Sequence, residues 1–212
     1  MATKLIEVDQ DNPAEEAVAR AAAEIQAGKL LSIPTDALYA LVADPLNLSA
    51  VRKVFAAKGR ETQRSLPLLV ADLLMAEDLA AELSARFYFL ARHFWPGPLT
   101  LIVPASAKVP LKVTGNTGRL AMRQSKSKLV NRLLEILGQP LICTSANISG
   151  KPTCRSGIEV FGVLDGRVDL ILDGGLCVGA GATTVDVTEP WWRIIKEGSV
   201  SEKEIAEALK GH

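Results

Sequence analysis

Pro140-Leu141-Ile142-Cys143-Thr144-Ser145-Ala146-Asn147-Ile148-Ser149-Gly150 is the stretch on which the fold turns. Pro140 to Thr144 reads as a short apolar strand. Ser145 to Gly150 then supplies hydroxyls, an amide and loose backbone, which suit the oxygens of a phosphate. A strand emptying into such a loop is the pattern of an α/β sheet, where ligands gather beyond the carboxyl ends of strands. Plain turn chemistry, an Asx or Ser turn with no ligand, accounts for the same residues.

Outward from this stretch, helices and strands alternate irregularly. Asn12-Pro13 opens a helix with Pro13 at its first position and Glu15 and Glu16 near its positive end. Ala14, Ala17, Val18, Ala21, Ala22 and Ile25 share one face, and Gly28 closes it. Leu30 to Ile33 is a strand ending at Pro34-Thr35-Asp36. A helix begins near Asn47 and stops around Gly59. Leu66 to Val70 is a strand, followed by helices over Leu73–Leu83 and Ser84–Phe94. Trp95-Pro96-Gly97-Pro98 ends the second of these with a rigid turn that lacks two backbone donors. Leu99 to Val103 and Leu120 to Arg123 are strands, and Lys126 to Leu137 is a helix. Asp169 to Leu172, Thr183 to Val187 and Trp192 to Ile195 are further strands. Ser201 and Glu204 form a capping box for the last helix. This order lacks strict βαβ alternation, and no GxGxxG follows the first strand. It predicts one α/β domain over residues 1–212 with a twisted mixed sheet rather than a dinucleotide-binding fold.

Composition narrows the chemistry. The chain has 212 residues, 48% of them hydrophobic and only 5% aromatic, so its core rests on aliphatic side chains. Lys plus Arg and Asp plus Glu both number 24, which argues against nucleic-acid binding driven by net charge, although balanced totals hide local clefts. Three cysteines, Cys143, Cys154 and Cys177, show no CxxC spacing. They predict no disulfide framework and no metal site, and place the chain in a reducing cytoplasm. No signal peptide or membrane span is read. The histidines, His93 and His212, form no triad or metal cluster, so covalent hydrolysis is a poor hypothesis.

What remains is cations, hydroxyls and amides. Lys58-Gly59-Arg60 ends a helix, where cations are common for dipole reasons alone. Arg60 suits bidentate phosphate contact and Lys58 a point charge, with the polar run Glu61 to Arg64 as an adjoining loop. Asp36 either holds a cation or amine or caps its own loop. Arg123, ending an apolar strand, either snorkels or reaches a carboxylate ligand. The glycine-rich run Gly175 to Gly181 is not a Walker A loop and reads as a binding loop or a flexible connection. Such groups suit phosphoryl or nucleotidyl chemistry, where positioning and charge neutralisation dominate.

Taken in order, Pro34-Thr35-Asp36-Ala37-Leu38-Tyr39, Lys58-Gly59-Arg60, Phe94 to Thr100, Arg123, Ser145 to Gly150 and Thr183-Thr184-Val185-Asp186 resemble the YrdC/TsaC family of threonylcarbamoyl-AMP synthases. The likeness runs from about residue 14 to 198. It implies a YrdC-like α/β sheet with a concave basic face. It also implies condensation of L-threonine, bicarbonate or CO2, and ATP with Mg²⁺ into threonylcarbamoyl-adenylate and pyrophosphate, for t6A modification at position 37 of tRNA. By position, the resemblance implies that Lys58 and Arg60 contact the triphosphate and are catalytic. Ser145, Asn147, Thr153 and Lys196 complete the ATP pocket. Thr35, Arg123 and Thr183 bind L-threonine. The chain looks like the short form, which passes its product to partner proteins of the t6A pathway, with tRNA contact as a further expectation.

Most of the departures fall on the threonine side. Asp36 stands for the family's glutamate and Ala37 removes a hydroxyl. Ser125 and Ser127 stand for a proline and a histidine, and Lys196-Glu197-Gly198 for Arg-Pro-Gly. Asp36 and Glu197-Gly198 are similar to the YciO branch. The alternative expectation is therefore a YciO-like protein that binds RNA or nucleotide with weak or different catalysis.

Overall fold

Strand direction governs where a ligand can sit, and the strands of this chain do not agree on one direction. A computed structural model describes residues 2–61 and 63–210; Thr62 and His212, which enter the sequence reading, lie outside the described residues. In chain order the elements are β1 (Lys4–Glu7), α1 (Glu15–Gln26), β2 (Leu31–Ile33), β3 (Ala40–Ala43), α2 (Leu48–Lys58), β4 (Leu68–Leu69), α3 (Leu73–Leu79), α4 (Ala85–Phe94), β5 (Leu99–Pro104), β6 (Arg119–Arg123), α5 (Lys128–Leu137), β7 (Leu141–Ser145), α6 (Gly157–Leu164), β8 (Leu170–Asp173), β9 (Thr183–Asp186), β10 (Arg193–Lys196) and α7 (Glu202–Leu209). The strands form one mixed sheet in the order β1-β8-β2-β3-β7-β4-β6-β5-β9-β10. Four neighbouring pairs are parallel and five antiparallel. The α/β mixed-sheet expectation holds.

Period-two alternation divides the sheet into two unlike faces. Leu68, Leu99, Leu101, Val103, Leu120, Met122, Ile142 and Val185 point to one side, into a core with α2, α3, α4, α6 and α7. Leu31, Ile33, Ala40, Val42, Leu69 and Leu141 point to the other side, against Val18, Ala21, Ala22 and Ile25 of α1 and Leu129, Val130, Leu133 and Leu134 of α5. These two helices cover only the β8-β2-β3-β7-β4 part of that face. Beyond the part of β7 and β4 that these helices cover, the strip across β6, β5 and β9 has no helix packed over it in either core cluster of the described residues.

Local chemistry sets the helix ends. Asn47 caps α2, accepting from the backbone N–H groups of Ser49 and Ala50. Gly59 ends it at φ 57°, the left-handed region that costs glycine least. Ser127 caps α5, and the Ser201–Glu204 capping box starts α7. Helix α1 starts two residues later than its proline and acids suggest, with Ala14 at the N-cap, so Pro13 precedes the helix. Strand β4 is only Leu68–Leu69. Three elements, β1, β3 and α6, have no counterpart in the sequence reading.

Candidate functional site

The uncovered strip is the floor of a cavity of about 390 Å³. Its floor is built from alternate residues: Cys143 and Ser145 of β7, Ala121 and Arg123 of β6, Thr100 and Ile102 of β5, Thr184 of β9 and Lys196 of β10. The loop beyond the carboxyl end of β7 lines this cavity with Asn147, Ser149 and Gly150, but the cavity floor is the open face of the sheet. β7 runs antiparallel to β4, and β4 parallel to β6, so Ser145 and Arg123 end their strands at opposite edges. The open face, not an edge, brings them to one cavity.

At one end, Lys58 leaves the last turn of α2 and is only 2% exposed. Its ammonium donates to the Ser145 carbonyl (2.5 Å), the Asn147 Oδ1 (2.7 Å) and carbonyl (3.3 Å), and the Ser145 Oγ (3.4 Å). Ser145 Oγ donates to Asn147 Oδ1 at 2.8 Å, and Asn147 Nδ2 donates to the Lys151 carbonyl. The Ser149 N–H returns to the Lys58 carbonyl at 2.8 Å. The helix end and the Ser145–Gly150 loop are therefore one hydrogen-bonded unit. Burial first, then Arg60 and Lys196, lower the Lys58 pKa to about 8. Arg60 is half-buried. Its Nη2 reaches only the Ser65 carbonyl at 3.4 Å, and its Nε is buried with no partner among the described residues. Burial and then Arg64 push its pKa down.

At the other end, Arg123 is buried at the close of β6. Its Nη1 donates to Asp36 Oδ1 (2.9 Å) and Oδ2 (3.0 Å) and to the Gly97 carbonyl (3.4 Å). Ser125 Oγ donates to the same Asp36 carboxylate and accepts the Ser127 N–H at 3.1 Å. The Trp95–Pro98 turn buttresses this corner: the Gly97 N–H donates to the Gln124 carbonyl at 2.9 Å. Cys143 lies beside the guanidinium; burial raises its thiol pKa although Arg123 pulls the other way. All three cysteines are free.

Of the residues singled out from sequence, Thr35, Lys58, Arg60, Arg123, Ser145, Asn147, Thr153 and Lys196 all line this cavity. Thr183 does not. It is fully buried, and its Oγ1 donates to the Val200 carbonyl (2.6 Å) and accepts the Val200 N–H (3.0 Å). It shares the inward parity of Val185, whereas Thr184 faces the cavity. Thr35 reaches the cavity with its hydroxyl already used, donating to the Leu38 carbonyl (2.7 Å) and accepting the Ala37 N–H (3.1 Å). Asp36 resolves to an ion pair with Arg123, and Ser127 to a helix cap. Arg64, Thr100 and Thr184 were missed; strand parity was the signal for the two threonines.

The lining residues include Lys58, Arg60, Arg64, Arg123 and Lys196 but no described Asp or Glu. Among the described residues no group of His, Cys, Asp and Glu forms a metal site. No helix of the described residues is long and apolar enough to cross a membrane.

Comparison with known proteins follows the same pattern. A family model for Sua5, YciO and YrdC proteins, described as "Telomere recombination", matches residues 23–198. Threonylcarbamoyl-AMP synthase of Pyrococcus abyssi (strain GE5 / Orsay) is 36% identical over 190 residues, 89% of this chain and 56% of the relative. The protein of that name from Bacillus subtilis (strain 168) is 33% identical over 196 residues, 92% of this chain and 56% of the relative. The chain thus spans little more than half the length of these two relatives. The crystal structure of P. abyssi Sua5 complexed with L-threonine superposes with a TM-score of 0.94 at 35% identity, covering 98% of this chain and 61% of that one. Matched by the family model over most of its length, this chain belongs to the Sua5/YciO/YrdC family.

Proposed function

We propose that the chain is a nucleotidyltransferase that makes L-threonylcarbamoyl-adenylate from L-threonine, bicarbonate or CO2, and Mg·ATP. We further propose that residues 1–212 act as one domain in the cytoplasm. One observation carries the reading: the open sheet face gathers four cations with no ion pair among the described residues and a fifth, Arg123, set apart beside a carboxylate. The relatives' name and the threonine-bound structure of one of them support threonine as the amino-acid substrate.

In this reading the triphosphate lies along Arg60, Arg64 and Lys196, against the Ser145–Asn147 unit that Lys58 organises. Thr153 borders the nucleotide. The amino-acid carboxylate meets Arg123. The threonine amine adds to CO2, losing a proton to give a carbamate. A carbamate oxygen then displaces pyrophosphate from the α-phosphorus. No protein nucleophile is needed. The protein holds the reactants close and neutralises charge that gathers on the leaving pyrophosphate. The product feeds t6A modification of tRNA through partner proteins.

The test is incubation with L-threonine, bicarbonate, ATP and Mg²⁺. Threonine-dependent pyrophosphate release is expected. Its absence in folded protein, with tight and salt-sensitive tRNA binding, would replace this reading with a YciO-like RNA-binding one.

A further inference from the structure

Every bond from Arg123 to an oxygen of a described residue leaves from Nη1. That nitrogen is pinned between Asp36 and the Gly97 carbonyl, while Arg123 still lines the cavity and Asp36 does not. The remaining Nε–Nη2 edge of the guanidinium is the edge that forms two parallel bonds with a carboxylate. Asp36 is held in turn by Ser125, which is fully buried. Fixing Asp36 from behind fixes the rotation of Arg123.

The pairing also sorts charge. Lys58, Arg60, Arg64 and Lys196 have no ion pair among the described residues, whereas Arg123 has one. Through Leu69, Arg123 is level with Leu141 of β7. Ser145 lies four residues further along β7, two strands from β6. Strand spacing and rise put the Arg123 and Ser145 Cα atoms roughly 16 Å apart. The cavity thus has a strongly positive end and an almost neutral one. A phosphate dianion brought to Arg123 would meet the Asp36 charge close behind it, and a monoanionic carboxylate is repelled less.

We propose that Asp36 is a positioning and specificity-determining residue, which aims the Nε–Nη2 edge of Arg123 at a single carboxylate and denies it to phosphate. This rests on the reading that Arg123 receives the amino-acid carboxylate.

The experiment is Asp36→Asn, which keeps the shape and removes the charge. L-Threonine affinity, measured by calorimetry, is expected to fall about tenfold, the scale of one charge-assisted hydrogen bond. ATP affinity should stay within about twofold. Pyrophosphate, which should not compete with threonine in the wild type, should compete in the variant. Threonine affinity unchanged and no new competition would overturn the proposal. A second measurement does not depend on threonine being the substrate. The Arg123 Nη1 protons, identified by their loss in Arg123→Lys, should exchange slowly in the wild type, where Asp36 and the Gly97 carbonyl hold them, and much faster in Asp36→Asn. Equal exchange overturns the positioning role. If the wild type binds no threonine yet this exchange accelerates, the functional reading fails while the positioning role stands.

Discussion

The two ends of the cavity deal with buried positive charge in opposite ways. At the Ser145 end, the Lys58 ammonium is surrounded by two carbonyls, an amide oxygen and a hydroxyl. Dipoles satisfy its protons but leave its charge, and three further cations stand nearby with no carboxylate partner among the described residues. At the Arg123 end, a carboxylate meets the guanidinium directly and cancels its charge. An end solvated by dipoles still needs an anion of high charge. An end built on an ion pair needs only a ligand that completes the hydrogen bonds. The number of unpaired charges, more than the number of cations, sets which ligand suits each end.

The largest effect should come from breaking the ion pair. Arg123→Met leaves the Asp36 carboxylate, only 12% exposed, without its cation. Removing one partner of such a pair costs about 3 kcal/mol, because a nearly buried charge is left uncompensated. Adding Asp36→Asn should restore most of the loss, which urea denaturation would read. If Arg123→Met is as stable as the wild type, the pair does not hold that end. At the other end Arg60→Ala should behave in the reverse way. Its Nε has no partner among the described residues to lose, so stability should move by less than about 0.5 kcal/mol. Turnover with ATP should fall about 100-fold, the loss of two charge-assisted bonds to phosphate. Unchanged turnover would remove Arg60 from the site.

Much of this contrast was visible in the sequence, but only as separate pieces. Lys58, Arg60, Ser145 and Asn147 carried phosphate-compatible chemistry before any fold was known. The helix bounded by Asn47 and Gly59 and the Ser201 capping box followed from local rules, because capping is a contact between near neighbours in sequence, whereas Ser127, read inside a helix from Lys126, is in fact the N-cap of α5. The partner of Asp36 was not legible, since Arg123 lies 87 residues away and tertiary packing brings them together. β3 was hidden because Ala40-Leu41-Val42-Ala43 is buried on both faces and shows no alternation. α6 was hidden for the opposite reason. Gly157-Ile158-Glu159-Val160-Phe161-Gly162-Val163-Leu164 mixes two glycines with β-branched and aromatic residues, and tertiary contact overrides that propensity. β1 is a short edge strand with exposed ends. The cavity's place on a sheet face could not be read without strand directions.

Acidity offers a gentler way to sharpen the contrast, acting on the Lys58 end alone. In the free protein Lys58 gives up its proton near pH 8, below its ordinary value of 10.5. The unfolded chain keeps that proton until about pH 10.4, so it binds more protons in this window. By linkage, this group's contribution makes the free fold more stable as pH rises from 8 towards 10. A bound triphosphate favours the charged ammonium, so nucleotide binding should take up a proton in the same window. ATP affinity should therefore decline above pH 8, by up to about tenfold per pH unit, and stay flat below pH 7. Calorimetry in buffers of different ionisation enthalpy measures the uptake. Lys58→Arg should abolish the alkaline decline, because arginine keeps its proton throughout. A decline that survives the substitution would assign it to another group.

The smallest effects should separate two neighbouring threonines by strand parity. Thr183 points into the core and exchanges two hydrogen bonds with the Val200 backbone. Thr183→Val should cost about 1–2 kcal/mol, because it strands a buried N–H and a carbonyl. The Michaelis constants should hardly change, since no ligand meets that face. Thr184, one residue on, sits half-buried on the cavity floor. Thr184→Val should leave stability within about 0.5 kcal/mol and raise the Michaelis constant of one substrate about threefold, the weight of one neutral hydrogen bond. A denaturation midpoint and steady-state kinetics on the two variants decide the matter. If Thr183→Val weakens substrate while Thr184→Val unfolds the protein, β9 presents its other face to the cavity. Arg123 would then keep its place, because its register is set through β4 and β6 and not through β9.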